Sequence, residues 1–85
     1  NRATLTTMSL TLDTLNAAEQ AEVARIRETL GVCSWGHTIR TSRRIARAIL
    51  ADGWWTWNGR FCDPIVKPVG LGLYDVAAKE LEPKP

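Results

Sequence analysis

"GWWTWNGRFCD", residues 53–63, joins a helix exit, an aromatic run and a turn dipeptide, and its reading decides how the rest of the chain is arranged. Asn58-Gly59 stands between two β-favouring runs. A two-residue type I′ turn needs positive φ at both central positions, which Asn and Gly tolerate best. The dipeptide therefore predicts a β-hairpin of residues 54–57 and 60–63. Trp57 should face Arg60, Thr56 should face Phe61, Trp55 Cys62 and Trp54 Asp63. Strand side chains alternate, so Trp55, Trp57, Arg60 and Cys62 share one face, and Trp54, Thr56 and Phe61 share the other. Three of the four tryptophans are concentrated here. Each ring covers on the order of 150–250 Å² when buried, and one helical layer hides only one face. At least one of Trp54, Trp55 and Trp57 should stay partly exposed, with Arg60 able to stack on Trp57.

Working back from Gly53, a helix reads through Ile45, Ile49 and Leu50 to Asp52-Gly53, with Thr38, Thr41 or Ser42 as its cap. On a helical wheel Arg47 falls about 40° and Arg44 about 100° from Arg43, while Ile45 and Ile49 fall about 200° and 240° away. One face is arginine and the opposite face is apolar. The preceding "GVCSWGHTIRTS" (31–42) is too rich in glycine and β-branched residues for a helix interior. It reads as a loop, with room for a short strand at its start and with Trp35 plugging the core edge. A helix over 17–30 comes before it. Asn16 and Glu19 have capping-box spacing, Val23, Ile26 and Leu30 fall on one arc that Leu15 extends, and Gly31 is the expected left-handed stop. The opening "TLTTMSLTLDT" (4–14) alternates from Thr7 onward, with Met8, Leu10 and Leu12 on one side, and predicts a half-buried strand.

After the hairpin, Pro64 and Pro68 should confine any strand to an edge or end it. "VGLGLYDVAAKELE" (69–82) is expected to start extended and then turn into a short helix from about Asp75, docking Val76, Ala77 and Leu81. The expected architecture is α+β: a small single domain over 1–85, frayed at 1–5 and 82–85. Two helices and a short C-terminal helix would pack on a small antiparallel sheet that contains the 54–57/60–63 hairpin. Eighty-five residues allow one core, and 45% apolar with 24% charged residues is an ordinary globular balance. No window offers the roughly 18–20 apolar residues of a membrane span and no leader opens the chain, so a cytoplasmic, non-membrane protein is expected.

The net charge of +2 hides an uneven distribution. Asp13, Glu19, Glu22 and Glu28 meet only Arg25 and Arg27 over 13–28. Arg40, Arg43, Arg44, Arg47 and Arg60 meet only Asp52 over 40–60. Guanidinium groups match phosphate or carboxylate oxygens two bonds at a time, so a basic face invites nucleic acid or an acidic protein surface. The alternative is a solvated face whose long stems cover apolar surface. Arg40 joins this face if the helix starts near Thr38. The order of helix and then hairpin over about 41–65 resembles the recognition helix and wing of winged helix-turn-helix proteins. That resemblance implies that Arg43, Arg44 and Arg47 face a groove and that Arg60 touches the backbone. The chain departs from the motif in the ten or so residues between its two predicted helices, where a turn of three or four is usual.

Other chemistry is thin. Cys33, His37 and Cys62, with Asp63 as a fourth, form a weak zinc set. No second close cysteine pair supports it, and two small buried thiols or one disulfide remain open readings. One histidine, no G-x-S-x-G, no H-E-x-x-H and only a bare "GLG" argue against an enzyme, and no cofactor is expected. The run "RRIARAILADGWW" (43–55) resembles small proteins of high-GC actinobacterial phages and their hosts, which implies an accessory protein acting on nucleic acid or a host protein. The expected function is a non-enzymatic binding module using Arg40, Arg43, Arg44, Arg47, Trp54, Trp57 and Arg60, with nucleic acid as first partner. The alternative is a protein-interaction module, including a homodimer that buries the tryptophan hairpin.

Overall fold

The computed structural model describes residues 14–32 and 36–83. The expected strand with Met8, Leu10 and Leu12, and also Cys33 and Trp35, lie outside the described residues. Helix α1 spans Ala17–Val32. Its start is the predicted capping box: the Asn16 N–H donates to Glu19 Oε1 at 3.0 Å, and the Glu19 N–H donates to Asn16 Oδ1 at 2.8 Å. Leu15, Val23, Ile26 and Leu30 are buried as one stripe. Gly31 is not the stop that was expected. It lies inside α1 and is buried, and a Cβ there would stand 2.4 Å from Trp57 Cγ. The glycine makes room for a ring.

Strand β1 covers Thr38–Ser42, at the end of the glycine-rich interval and not at its start. Ser42 then caps helix α2, Arg43–Asp52: its backbone is extended (φ −73°, ψ 160°) and its hydroxyl accepts from the Ile45 N–H at 3.3 Å. Gly53, at φ 87°, closes the helix with its N–H donating to the Ile49 carbonyl at 3.2 Å. Ile45, Ala46, Ala48 and Ile49 are buried, and the small alanines let α2 lie close to the sheet. Arg40 is consequently a strand residue and does not extend the arginine face of the helix.

Strands β2 (Trp55–Trp57), β3 (Arg60–Gly70) and β4 (Leu73–Glu80) complete an antiparallel sheet of order β1-β4-β3-β2. The β2–β3 register is the one predicted from Asn58-Gly59, with Trp57 opposite Arg60, Thr56 opposite Phe61 and Trp55 opposite Cys62. Asn58 and Gly59 have φ of 50° and 82°. Trp54 stands just outside the strand, so its expected pairing with Asp63 is absent from this register.

The C-terminal helix is corrected to a strand. Residues 73–80 pair along β3, with Val76 opposite Val66 and Ala78 opposite Pro64 on the inner face. Ala77, Ala78, Lys79 and Glu80 favour helix, but a two-residue turn at Leu71-Gly72 delivers them beside an open strand. Tertiary pairing then outweighs a propensity of tenths of a kcal/mol per residue. The prolines keep part of their predicted meaning. The Leu81 N–H donates to the Phe61 carbonyl at 2.9 Å, so odd residues of β3 address β4. Pro64 and Pro68, at even positions, address the side where β2 pairs no further than Cys62. Among the described residues β3 is central at its start and an edge where its prolines fall, so the prolines take no ladder bond from a described neighbour.

Both helices lie on one face. α1 packs against β1, β2 and β4, and α2 packs against β1, β3 and β4. Trp55, Cys62, Val76 and Ala78 join the helices' apolar stripes in the core, with Ile39, Trp57, Val66 and Tyr74 partly buried around it. Phe61, Asp63, Ile65, Asp75, Ala77 and Arg40 alternate to the outer face.

Candidate functional site

The predicted binding residues are distributed over three places. The first is the junction between α1 and the hairpin. Trp57 lies half-buried against Gly31, and Arg60 Nη1 donates to the Gly31 carbonyl at 3.2 Å. Beside them Arg27 pairs with Asp52 at 2.6 Å, and its guanidinium sits 5.3 Å from the centre of the Trp55 ring. Arg27 Nε and Trp55 Nε1 are buried with no hydrogen-bond partner among the described residues. Trp57 and Arg60 face the same side, as expected, but that side is the helix layer.

The second place is the outer sheet face. Trp54 remains 45% exposed and its ring lies 5.5 Å from that of Phe61, tilted by 43°. Arg40 is on the same face at the opposite edge of the sheet, donating to Asp75 at 3.1 Å.

The third is the solvent face of α2, which carries Arg43, Arg44 and Arg47, all exposed. Arg44 is tied down: its Nε donates to Glu19 at 2.8 Å and its Nη2 to the Thr14 carbonyl at 2.9 Å. The Asn16 N–H holds the Glu19 carboxyl below its usual range, and Arg44 adds to that effect. Among the described residues Arg43 and Arg47 make no ion pair, and they stand one turn apart.

The charge asymmetry along the chain is thus cancelled in part in space. Glu19 meets Arg44, Asp52 meets Arg27 and Asp75 meets Arg40. Sequence reasoning missed these pairings, since each joins residues at least 25 positions apart.

A shallow groove of about 340 Å³ lies between the start of α1 and the β1–α2 junction, lined by Asn16, Glu19, Glu22, Thr41, Ser42 and Ile45 among others. Its carboxylates are already engaged, Glu19 as above and Glu22 by Arg25 at 3.3 Å and the Thr41 hydroxyl at 3.4 Å. The zinc set is not brought together by the described residues. His37 is exposed, while Cys62 is fully buried, and burial pushes its thiol pKa up.

No family model, no curated protein and no solved structure matches the chain. Among the described residues no helix is long and apolar enough to cross a membrane.

Proposed function

We propose that this protein is a non-enzymatic binding module that holds nucleic acid against the solvent face of α2. The carrying observation is that Arg43 and Arg47 are exposed, one turn apart and without an ion-pair partner among the described residues, while Arg27, Arg40 and Arg44 are each paired to a carboxylate. Two guanidinium groups at that spacing suit successive backbone phosphates. The proposal is narrower than the sequence suggested. Trp57 and Arg60 are turned to α1 and drop out, and Arg40 belongs to the sheet. The winged-helix likeness enters only through α2. β1 occupies the interval where that motif has a short turn, and Arg60, the expected wing contact, is bonded to Gly31.

Fluorescence anisotropy of end-labelled duplex DNA and RNA, titrated with the protein at several salt concentrations, tests this reading. Neutralising two or three phosphates gives a slope of log affinity against log salt between about −2 and −3. The double variant Arg43→Glu/Arg47→Glu should abolish binding with the fold intact. Salt-independent binding, or none at low salt, rejects nucleic acid as the partner.

A second reading rests on the outer sheet face, where Trp54, Phe61, Ile65 and Leu73 present apolar surface that neither helix covers. A protein partner or a second copy would bury it. Sedimentation that stays monomeric at high concentration removes the second copy.

A further inference from the structure

The β3–β4 turn carries a feature that the fold does not account for. Gly70 faces Leu73, so Leu71 and Gly72 are the two central residues, at φ of 57° and 75°. This backbone is the one Asn58-Gly59 adopts in the other hairpin, and Asn, Asp or Gly relieve it where leucine is strained. Leu71 is also 100% exposed, so its side chain gains no burial in return. Its flanks are apolar as well: Val69 is 41% exposed and Leu73 38% exposed. No acidic residue occurs over 67–73, and Lys67 adds a positive charge.

The turn lies at the end of the sheet where α2 begins. Leu73 pairs with Ser42, the N-cap of α2, and Arg43 follows directly. An apolar point therefore projects from the end of the sheet where α2 begins, the helix on which Arg43 and Arg47 make no ion pair among the described residues. Its complement is anionic outside and apolar inside, which describes a base stack between two phosphate backbones. One projecting side chain suits the gap at a base step, and apolar wedges of this kind unstack and kink duplexes. A bilayer rewards a broad apolar face, which the turn lacks.

We propose that Leu71 is a wedge that inserts at a base step of duplex DNA whose backbone is held by Arg43 and Arg47. The proposal rests on the nucleic-acid reading above. It is tested with a mixed-sequence duplex of about 30 base pairs that carries 2-aminopurine at pyrimidine–purine steps, which unstack most readily. Wild type should bind and raise 2-aminopurine fluorescence. Leu71→Asn and Leu71→Gly, both suited to the turn, should keep the circular dichroism spectrum and the salt slope. They should lose the fluorescence rise and bind about tenfold more weakly. Binding that depends on Arg43 and Arg47 while both Leu71 variants still unstack the duplex overturns the wedge and leaves the nucleic-acid reading standing. Absence of binding by wild type overturns both. Leu71-dependent sedimentation with phosphatidylserine vesicles, without duplex unstacking, replaces the wedge with a membrane contact.

Discussion

The two hairpins use one backbone turn with different residues. Asn58-Gly59 closes β2 and β3 with the pair that this turn favours, and the strands it joins are fastened to the helix layer by Trp55, Trp57 and Arg60. Leu71-Gly72 closes β3 and β4 with a strained leucine, at an end of the sheet where residues 67–73 are all exposed. A residue that suits its turn and anchors a core is explained by folding. One that opposes its turn and buries nothing points to a partner.

The largest expected effect is on the anchored hairpin. Trp55→Ala removes the ring between Arg27 and the core and should cost about 3–5 kcal/mol in urea denaturation. Leu71→Ala should leave stability nearly unchanged. Equal losses would erase the distinction between the two hairpins. Gly31→Ala sharpens it further, because the added Cβ meets the Trp57 ring and should cost about 1–3 kcal/mol, read as a lower thermal midpoint.

Exchanging the turn residues should move stability in opposite directions. Asn58→Leu should destabilise by about 1–2 kcal/mol, and Leu71→Asn should stabilise by about 1 kcal/mol, or several degrees in Tm for a domain of this size. A stability loss from Leu71→Asn would show that leucine serves the fold after all.

The smallest expected effect concerns the cap of α1. The folded-state pKa of Glu19 is lowered, so its contribution is present above its ordinary value of 4.5 and is lost as pH falls through the folded value. Urea midpoints at pH 7, 4.5 and 3 should therefore converge for wild type and Glu19→Gln at the acid end, with wild type ahead at neutrality.

Local signals were legible because their physics is local. Asn16 and Glu19 cap α1 from three residues apart, Asn58-Gly59 sets the register of β2 on β3, and the arginine and isoleucine faces of α2 follow from helical spacing. The errors share one cause. Residues 75–80 have helical propensity but lie beside a strand that only the folded chain supplies. Gly31 resembles a helix stop, yet it is set by a ring 26 positions away in sequence. Arg40 appeared to belong with Arg43 until β1 placed it on the outer face.

The sequence alone determined the α+β class, both helices, the first hairpin with its two faces, and an apolar stripe on each helix, since these depend on contacts within a few residues or on strict periodicity. Tertiary structure decided which charges survive. Glu19, Asp52 and Asp75 reach Arg44, Arg27 and Arg40 only once α1, α2 and the sheet have packed. Coulomb pairing depends on distance in space and not along the chain. A basic segment spanning residues 40–60 becomes, after folding, a helix on which Arg43 and Arg47 make no ion pair among the described residues.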